Sequence, residues 1–302
     1  MIDYSNLLTL LTSKDLLPEE FVADYYRALF PDLRHLNNHS LRGHYERHGR
    51  AEGRSASPGD HRTGFLSVVS PSAKVLEIGP FTVPLLRGPN VRYFDVLDRD
   101  GLLERARQHG YPTGDIPNID FVSERGDLSV VSGQFDYVIS AHCIEHVPDL
   151  ITHLQQAADL LHVGGRYLLI VPDARYCFDH FRPLSSFADM VEAHAEKRRV
   201  HTAANVTAYF AQTTHNDPLA HWRGEHADPR SDQVEQRKLD AAAALAEANG
   251  GYIDVHAWTL TPNTFREIMT RMFNEGRAPF ALERVYNTLN GSNEFNASLV
   301  RI

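Results

Sequence analysis

Two acidic residues and a glycine stand at the ends of two neighbouring apolar segments. Glu77 and Gly79 close the run KVLEIG, and Asp95 lies in the run VRYFDV, sixteen residues after Gly79. A glycine lets the backbone approach a ligand closely, because it has no Cβ atom. Glu77 can receive a positive group such as an amine, and Asp95 is placed to accept both hydroxyls of a ribose. The order of these three residues along the two segments predicts a site for a nucleoside with a charged tail.

The glycine spacing argues against a pyrophosphate in this site. The glycine after Gly79 is Gly88, whereas a dinucleotide fingerprint needs G-x-G-x-x-G so that the backbone can surround the phosphates. A nucleoside without phosphates fits better. The run GDL at 126–128 follows the third predicted strand, and there Asp127 and Leu128 are candidates to flank an adenine edge.

The chemistry-bearing residues lie on a pattern of alternating strands and helices. Apolar runs at 74–78, 91–96, 118–122, 135–140 and 166–171 predict strands. A helical pattern covers 101–110, and another begins at Pro148 and ends at Gly164-Gly165. Thr261 caps a later helix, and 280–287 and 294–302 predict a closing antiparallel hairpin. We expect an α/β fold with a Rossmann-like, doubly wound, mostly parallel seven-stranded sheet.

Two further segments flank or interrupt this pattern. Residues 174–255 predict an insertion that covers a site, inside an α/β domain at 58–302. Residues 1–57 predict a small helical module, with a helix starting at Pro18, a second one capped by Ser40, and a linker in the breaker-rich run at 49–60. An apolar stretch precedes them, formed by Leu7, Leu8, Leu10 and Leu11.

The motifs occur in an order that is similar to a known enzyme family. VLEIGP, YFDV, GDL, FDYVISAHCIEHVPD and LLHVGGRYLLIVPD resemble the motif series of class I S-adenosylmethionine-dependent methyltransferases, especially a bacterial branch with IGP-x-x-x-P and S-x-H-x-x-E-H-x-x-D. The resemblance implies S-adenosylmethionine as the cofactor. It departs at Phe81 and Val83, where many members have glycines. The implied cofactor contacts are Glu77, Gly79 and Pro80 for methionine and ribose, Asp95 for the ribose hydroxyls, Asp127 and Leu128 for adenine, and Ala141 and His142 beside the methyl-donor end.

Methyl transfer to an oxygen needs a group that removes a proton, and a neutral histidine or a carboxylate does this near neutral pH. His142 is our first candidate for the general base, and Asp173 is the second because it ends the fifth predicted strand. Arg175 and Tyr176 follow Asp173 and are candidates to orient the acceptor. The run HCIEH at 142–146 also matches H-x-x-E-H, but a protease zinc site needs both histidines on one helix, and Pro148 follows too closely.

The predicted insertion carries a second polar cluster, HNDPLAHWRGEH at 215–226. Trp222 and Arg223 are candidates to stack on or hydrogen-bond a sugar or a carboxylate. The imidazoles and carboxylates of this run also suit a divalent metal. Their spacing matches no known motif, so a solvated polar lid is the competing interpretation. The residues concerned are His215, Asp217, His221, Glu225 and His226.

The N-terminal pattern FVADYYRALFPDL followed by LRGHYERHGRAEGR resembles a short helical module found beside bacterial glycosyltransferases and other surface-polysaccharide enzymes. The resemblance implies a sugar or glycan acceptor, an association with glycosyltransferase machinery, and a role in polysaccharide biosynthesis. The competing interpretation is a helical pair that simply packs on the core.

Charge and cysteine content narrow the functional classes. A net charge of -9 argues against a nucleic-acid partner, and two cysteines make no disulfide framework. No signal peptide or membrane span is evident, so we expect a cytoplasmic protein. The leading hypothesis is O-methylation of a sugar or glycan. The alternatives are a metal-dependent oxygenase and a non-catalytic binding protein on the same scaffold.

Overall fold

The computed structural model describes residues 16–228 and 230–302, and a seven-stranded sheet with the order β3-β2-β1-β4-β5-β7-β6 lies at its centre. The leucines at positions 7 to 11 lie outside the described residues. The strands are β1 (Val75–Ile78), β2 (Val91–Asp95), β3 (Phe121–Val122), β4 (Phe135–Ala141), β5 (Leu161–Pro172), β6 (Phe280–Val285) and β7 (Glu294–Arg301).

The sheet has the predicted topology. Strands β3, β2, β1, β4 and β5 pair in parallel, and β7 pairs antiparallel with both β5 and β6. The chain runs outward from β1 through β2 to β3, and then returns to β4 on the other side of β1. Ligands of open α/β sheets bind beyond the carboxyl ends of the strands at such a reversal. The Rossmann-like prediction is confirmed.

Helices cover the sheet and form the insertion. They are α1 (Ala23–Leu29), α2 (Asn38–His44), α3 (Arg62–Leu66), α4 (Arg99–Gln108), α5 (Leu150–Asp159), α6 (Phe187–Ala195), α7 (Ala203–Gln212), α8 (Pro218–Trp222), α9 (Val234–Ala248) and α10 (Pro262–Asn274). Asp98 caps α4 and Asp149 caps α5 through side-chain oxygens that accept backbone N–H groups. Thr261 caps α10 as predicted.

Three predicted boundaries are wrong. Helix α5 ends at Asp159 instead of Gly164, because Leu161 already pairs with Phe135 and β5 bulges between its first two pairs with β4. Helix α1 begins at Ala23 rather than at Pro18. Asn37, not Ser40, caps α2, since the Ser40 N–H donates to Asn37 Oδ1 at 2.9 Å.

The predicted linker at 49–60 is instead a packed segment. Residues 57–60 are buried and form a short 3₁₀ turn with a capping box. A Cβ on Gly59 would lie 2.2 Å from the ring of Tyr286, so the segment packs tightly on the chain that follows β6. The Asn296 side chain on β7 also donates to the Gly59 carbonyl at 2.9 Å. The division at residue 57 into two domains stays a prediction, and the chain just after that position is buried against the rest of the protein.

The insertion has its own small core, in which Val206 on α7 and Ala241 on α9 pack with Val255. A buried Arg182–Asp179 ion pair of 2.7 Å lies within it, and Arg182 also donates to the His256 carbonyl at 2.9 Å, just beyond the end of the insertion. In the described part of the chain, no helix is long and apolar enough to cross a membrane.

Candidate active site

A cavity of about 700 Å³ opens beyond the carboxyl ends of β1, β2 and β4. This volume lies within the range of ligand pockets. The strand ends form its floor, α4 and the turn after β3 form one side, and the insertion forms the other. Among its lining residues are Gly79, Phe81, Asp95, Arg105, Tyr111, Arg125, Gly126, His142, Cys143, His146, Tyr209, Tyr252 and Asp254.

Gly79 lies where the backbone meets the cavity. Its φ is +69°, a conformation that side chains other than glycine rarely adopt. A Cβ at this position would lie 2.4 Å from Cys143 Sγ. The Cys143 thiol is itself held between the carbonyls of Ile78 and Ala141, each at 3.3 Å. The position therefore requires glycine for conformation and for space.

Phe81 belongs to the wall of the cavity and does not fill it. Its ring packs edge-on against Tyr111, with centroids 5.5 Å apart, and against the apolar side of α4. Its φ of +40° turns the first loop towards that helix. The bulky residue that replaces a glycine of the resembling family is thus compatible with an open cavity.

Asp95 lines the cavity at the end of β2. Its Oδ1 accepts the N–H groups of Val96 at 2.7 Å and Leu97 at 3.4 Å. Burial raises the pKa of Asp95 to about 6, and these amides oppose the rise. The Phe81 backbone also contributes a hydrogen bond to this carboxylate, which lies at the cavity surface.

Glu77 and Pro80 are buried and lie outside the lining of the cavity. The Glu77 carboxylate accepts the N–H groups of Leu85 at 2.7 Å and Leu86 at 3.2 Å. Burial raises the pKa of Glu77 to about 7. The structure therefore corrects the expected direct contact of Glu77 with a ligand amine, because its carboxylate holds the first loop in shape.

The predicted adenine pair is also displaced from the cavity. Asp127 accepts the Ser129 N–H at 3.0 Å and the Gln156 side chain at 2.7 Å, and Leu128 is buried in the main core. A hydrogen bond from Ser129 lowers the pKa of Asp127. The residues of this turn that do line the cavity are Glu124, Arg125 and Gly126.

His142 lines the cavity just beyond Ala141, the last residue of β4. Its φ is +52°, in the left-handed region where histidine is one of the more tolerated residues. Its Nε2 lies 2.8 Å from Glu294 Oε2 on β7, and Arg62 pairs with the same carboxylate at 2.5 Å. Burial would raise the pKa of Glu294, but hydrogen bonds from Arg62 and His142 lower it to about 2. An ionised Glu294 favours the tautomer in which Nε2 donates and Nδ1 accepts.

Asp173 is fully buried and lies outside the cavity lining. Arg175 binds both of its carboxylate oxygens, and Thr288 Oγ1 donates to Oδ2 at 2.6 Å. The alternative in which Asp173 is the general base is therefore corrected: its oxygens hold the segment that joins β6 and β7.

The predicted acceptor residues support this same segment and do not line the cavity. Tyr176 and Trp222 stack with centroids 3.9 Å apart, and Arg175 covers the other face of Tyr176. Trp222 Nε1 donates to the Ser292 carbonyl at 2.8 Å, two residues before Glu294. Arg223 is exposed and pairs with Glu225 at 2.8 Å. The stacked pair of Tyr176 and Trp222 thus positions the loop before β7, and Glu294 at the start of β7 binds His142.

The histidine-rich run of the insertion does not form one metal site from its five candidates. Asp217 caps α8 and Glu225 pairs with Arg223. His221 and His226 do approach each other, with Nδ1 atoms 3.0 Å apart, and His180 stacks on His226 at 3.8 Å.

Three groups were not predicted from the sequence: Tyr252 and Asp254, which line the cavity, and His256, which is buried behind them. They lie on the extended chain that closes the insertion, about a hundred residues after the strand end they contact. His256 and His146 pack edge-on with centroids 4.6 Å apart. The H-x-x-E-H run drew attention to Glu145 and His146, but no spacing rule links them to His256.

A protein-family model described as a methyltransferase domain matches residues 62–250, more than half of the chain. The chain belongs to this methyltransferase family. The family and the sheet order make it an S-adenosylmethionine-dependent methyltransferase. This assignment favours the methyltransferase interpretation over the oxygenase and the non-catalytic protein.

Several solved structures are similar to the methyltransferase at low identity. An S-adenosylmethionine-dependent methyltransferase from Mesorhizobium loti is 16% identical, with 76% of this chain and 91% of that chain covered and a TM-score of 0.37. Magnesium protoporphyrin IX methyltransferase from Synechocystis is 14% identical, with 93% of this chain and 98% of that chain covered and a TM-score of 0.36. A structure described provisionally as a zinc-dependent alcohol dehydrogenase from Rhodobacter sphaeroides is 15% identical, with 80% of this chain and 89% of that chain covered and a TM-score of 0.44. No curated protein matches the chain.

Proposed function

We propose that the methyltransferase methylates a hydroxyl oxygen of a sugar, a glycan or a glycan precursor. The observation that carries the proposal is His142 on the cavity wall, with Nε2 held by Glu294 and Nδ1 left as an acceptor. The acceptor hydroxyl gives its proton to Nδ1, its oxygen forms the new bond to the methyl carbon, and the bond from that carbon to the sulfonium sulfur breaks. S-adenosylhomocysteine leaves, and His142 then releases the proton to solvent.

In this proposal the cofactor lies across the ends of β1 and β2. Asp95 would accept the ribose hydroxyls, and the backbone of Gly79 would approach the ribose and methionine, since both residues line the cavity. Glu77 and Pro80 shape the loop that carries Gly79. The adenine lies near Gly126, with Asp127 and Leu128 fixing that turn from behind.

The chemistry of the cavity supports a sugar acceptor. The rings of Tyr111 and Tyr252 are exposed at its edge, and aromatic faces pack well on the apolar face of a sugar. Arg125 adds a positive charge that suits a nucleotide sugar, whereas Arg105 already pairs with Asp254 at 3.6 Å.

The helical N-terminal module fits the same context, and we propose that it mediates association with glycosyltransferase machinery in polysaccharide biosynthesis. Its exposed surface includes His35 and His39, while Phe21, Tyr26 and Tyr45 form its core. We place the reaction in the cytoplasm, since Cys143 and Cys177 are both free thiols.

An acceptor screen tests the proposed function. Enzyme incubated with S-adenosylmethionine labelled in the methyl group is expected to label nucleotide sugars or glycan oligosaccharides, with mass spectrometry locating the methyl group on oxygen. Catechols, amines and peptides are the control acceptors. Labelling confined to a nitrogen or carbon acceptor would contradict the proposal.

Cofactor affinity is expected to fall in acid because of Asp95. Its pKa of about 6 means that the carboxylate takes up a proton below pH 6 and loses an acceptor for the ribose hydroxyls. Arg105 on α4 is the charged group that acts on it, and burial keeps the Cys143 thiol neutral by raising its pKa. S-adenosylhomocysteine should bind about tenfold more weakly at pH 5 than at pH 7.5 in calorimetry.

The matched variant for this measurement is Asp95→Asn. It should bind more weakly than the wild type at pH 7.5 and show a clearly shallower profile between pH 5 and pH 7.5, in which the remaining slope comes from Glu77, whose pKa is raised to about 7. An equally steep profile in the variant would mean that another group titrates, and the ribose contact of Asp95 would be rejected.

A further inference from the structure

A buried carboxylate without a hydrogen-bond partner lies directly behind the cavity wall. Glu145 is 0% exposed, and neither of its side-chain oxygens has a hydrogen-bond partner among the described residues. Its neighbours His142 and His146 both line the cavity. Buried polar groups are nearly always paired, since an unpaired one loses its hydration without compensation. The position of Glu145 therefore points to a missing positive partner.

Three imidazole nitrogens face this carboxylate from different directions. Glu145 Oε1 lies 3.9 Å from His142 Nδ1, 3.8 Å from His146 Nε2 and 3.9 Å from His256 Nε2. These separations exceed hydrogen-bond lengths. The ligand atoms of Glu145, His146 and His256 all lie within 4.8 Å of one another. Metal bonds of about 2.0–2.2 Å to nitrogen and oxygen would be reached with only a small contraction of this group.

Each of the two candidate histidine ligands has a carboxylate close to its other nitrogen. His146 Nδ1 lies 2.9 Å from Asp254 Oδ1, and His256 Nδ1 lies 2.5 Å from Asp179 Oδ2. Metal-binding histidines commonly have such a carboxylate, which fixes the ring and makes the ligating nitrogen more basic. Asp179 is fixed in turn by Arg182 at 2.7 Å. The Nε2 atoms are thereby directed at Glu145.

We propose that Glu145, His146 and His256 bind a divalent transition-metal ion of the zinc class. Imidazole and carboxylate ligands suit such ions. Three protein ligands leave a coordination position open, and the cavity side near His142 is where it would face. The role of the ion, unlike its binding, rests on the proposed methyl transfer: it would hold the acceptor oxygen beside His142 Nδ1, which takes the proton.

The other histidine cluster is a poorer metal site. His221 and His226 already face each other through Nδ1 atoms 3.0 Å apart, and the other nitrogen of His221 lies 3.1 Å from the His215 carbonyl. In the described residues, no orphaned carboxylate lies among them. This cluster supplies a matched control, because His226→Asn makes the same substitution at a histidine outside the proposed ligand set.

Cobalt(II) is the probe for the test, because its visible absorption reports the ligand geometry without any enzymatic activity. Full-length protein is treated with a chelator, dialysed and titrated with cobalt chloride. We expect one ion per chain with the absorption of a low-coordinate nitrogen and oxygen site. His256→Asn should weaken binding at least a hundredfold, and His226→Asn should leave it within twofold of the wild type.

A milder variant covers the case in which the His256 variant does not fold. Asp254 is about half exposed, and Asp254→Asn should weaken cobalt binding ten- to a hundredfold through loss of its support to His146. Absence of binding by the folded wild type, or loss of binding in His226→Asn alone, would overturn the site. S-adenosylhomocysteine binding is measured in parallel, so that failure of the methyl-donor site is distinguished from failure of the metal site.

Discussion

Gly79→Ala is expected to lower the stability of the methyltransferase by about 2–5 kcal/mol and to weaken S-adenosylhomocysteine binding at least tenfold. The left-handed backbone at φ +69° costs alanine about 1–2 kcal/mol. The new Cβ would also lie 2.4 Å from Cys143 Sγ, and such overpacking costs about 1–3 kcal/mol. The thiol is held by two carbonyls, so the first loop must move instead. Urea unfolding and calorimetry measure the two effects.

Two controls separate the backbone cost from the steric cost. Gly110 has a similar φ of +71°, and a Cβ there would meet nothing within 4 Å, so the stability loss of Gly110→Ala reports the backbone cost alone. Gly79→Ala combined with Cys143→Ala removes the sulfur and should recover the steric part of the loss. If Gly79→Ala were no more destabilising than Gly110→Ala, the close packing of the first loop on Cys143 would be refuted.

Local pattern was sufficient to predict the sheet and the edge that carries the cavity. Short apolar strands between helices dictate parallel crossovers, and the carboxyl ends of β1, β2 and β4 then meet at the reversal. Gly79, Asp95 and His142 were therefore predicted for this edge from strand ends alone, and all three line the cavity. Their contacts with a bound cofactor stay predictions.

Side-chain direction could not be predicted in the same way. Glu77, Asp127 and Asp173 stand at or near strand ends, yet their carboxylates accept hydrogen bonds from nearby protein groups: the 85–86 backbone, Ser129, and Arg175 with Thr288. A buried carboxylate is stable only with such donors, and the sequence does not reveal which donors come within reach. The helix end near Gly164 was missed because pairing of β5 with β4 overrode the glycine signal.

Long-range contacts account for the rest of the site. Glu294 is 152 residues from His142 in the chain, and His256 is more than a hundred residues from Glu145. The spacing of these residues in the sequence predicts neither contact. The aromatic residues Tyr176 and Trp222 were predicted to bind the acceptor, but their stacking and the bond to the Ser292 carbonyl place them behind the loop that leads into β7. Aromatic residues in a polar insertion can pack against the protein itself as readily as they bind a ligand.

His142→Asn is expected to reduce kcat by 10²–10⁴-fold while leaving the affinity for S-adenosylhomocysteine within about threefold. Loss of a general base has an effect of this size. Asparagine is chosen because it tolerates the left-handed backbone at φ +52°, whereas alanine would add strain to the loss of the imidazole. Turnover is measured with an acceptor found in the screen, and calorimetry gives the affinity. An unchanged kcat in the folded variant would remove His142 from the role of base.

Glu294→Gln tests whether the carboxylate acts through His142. An amide can accept a hydrogen bond from Nε2, but it can also donate one and so stabilise the opposite tautomer, with the proton on Nδ1 where the acceptor's proton must arrive. We expect a fall in kcat with little change in KM. When two residues act as a unit, the effects of substituting them on kcat do not add. The double variant His142→Asn with Glu294→Gln should therefore be no slower than His142→Asn alone. Additive losses would mean that Glu294 supports the fold through Arg62 and not the proton transfer through His142.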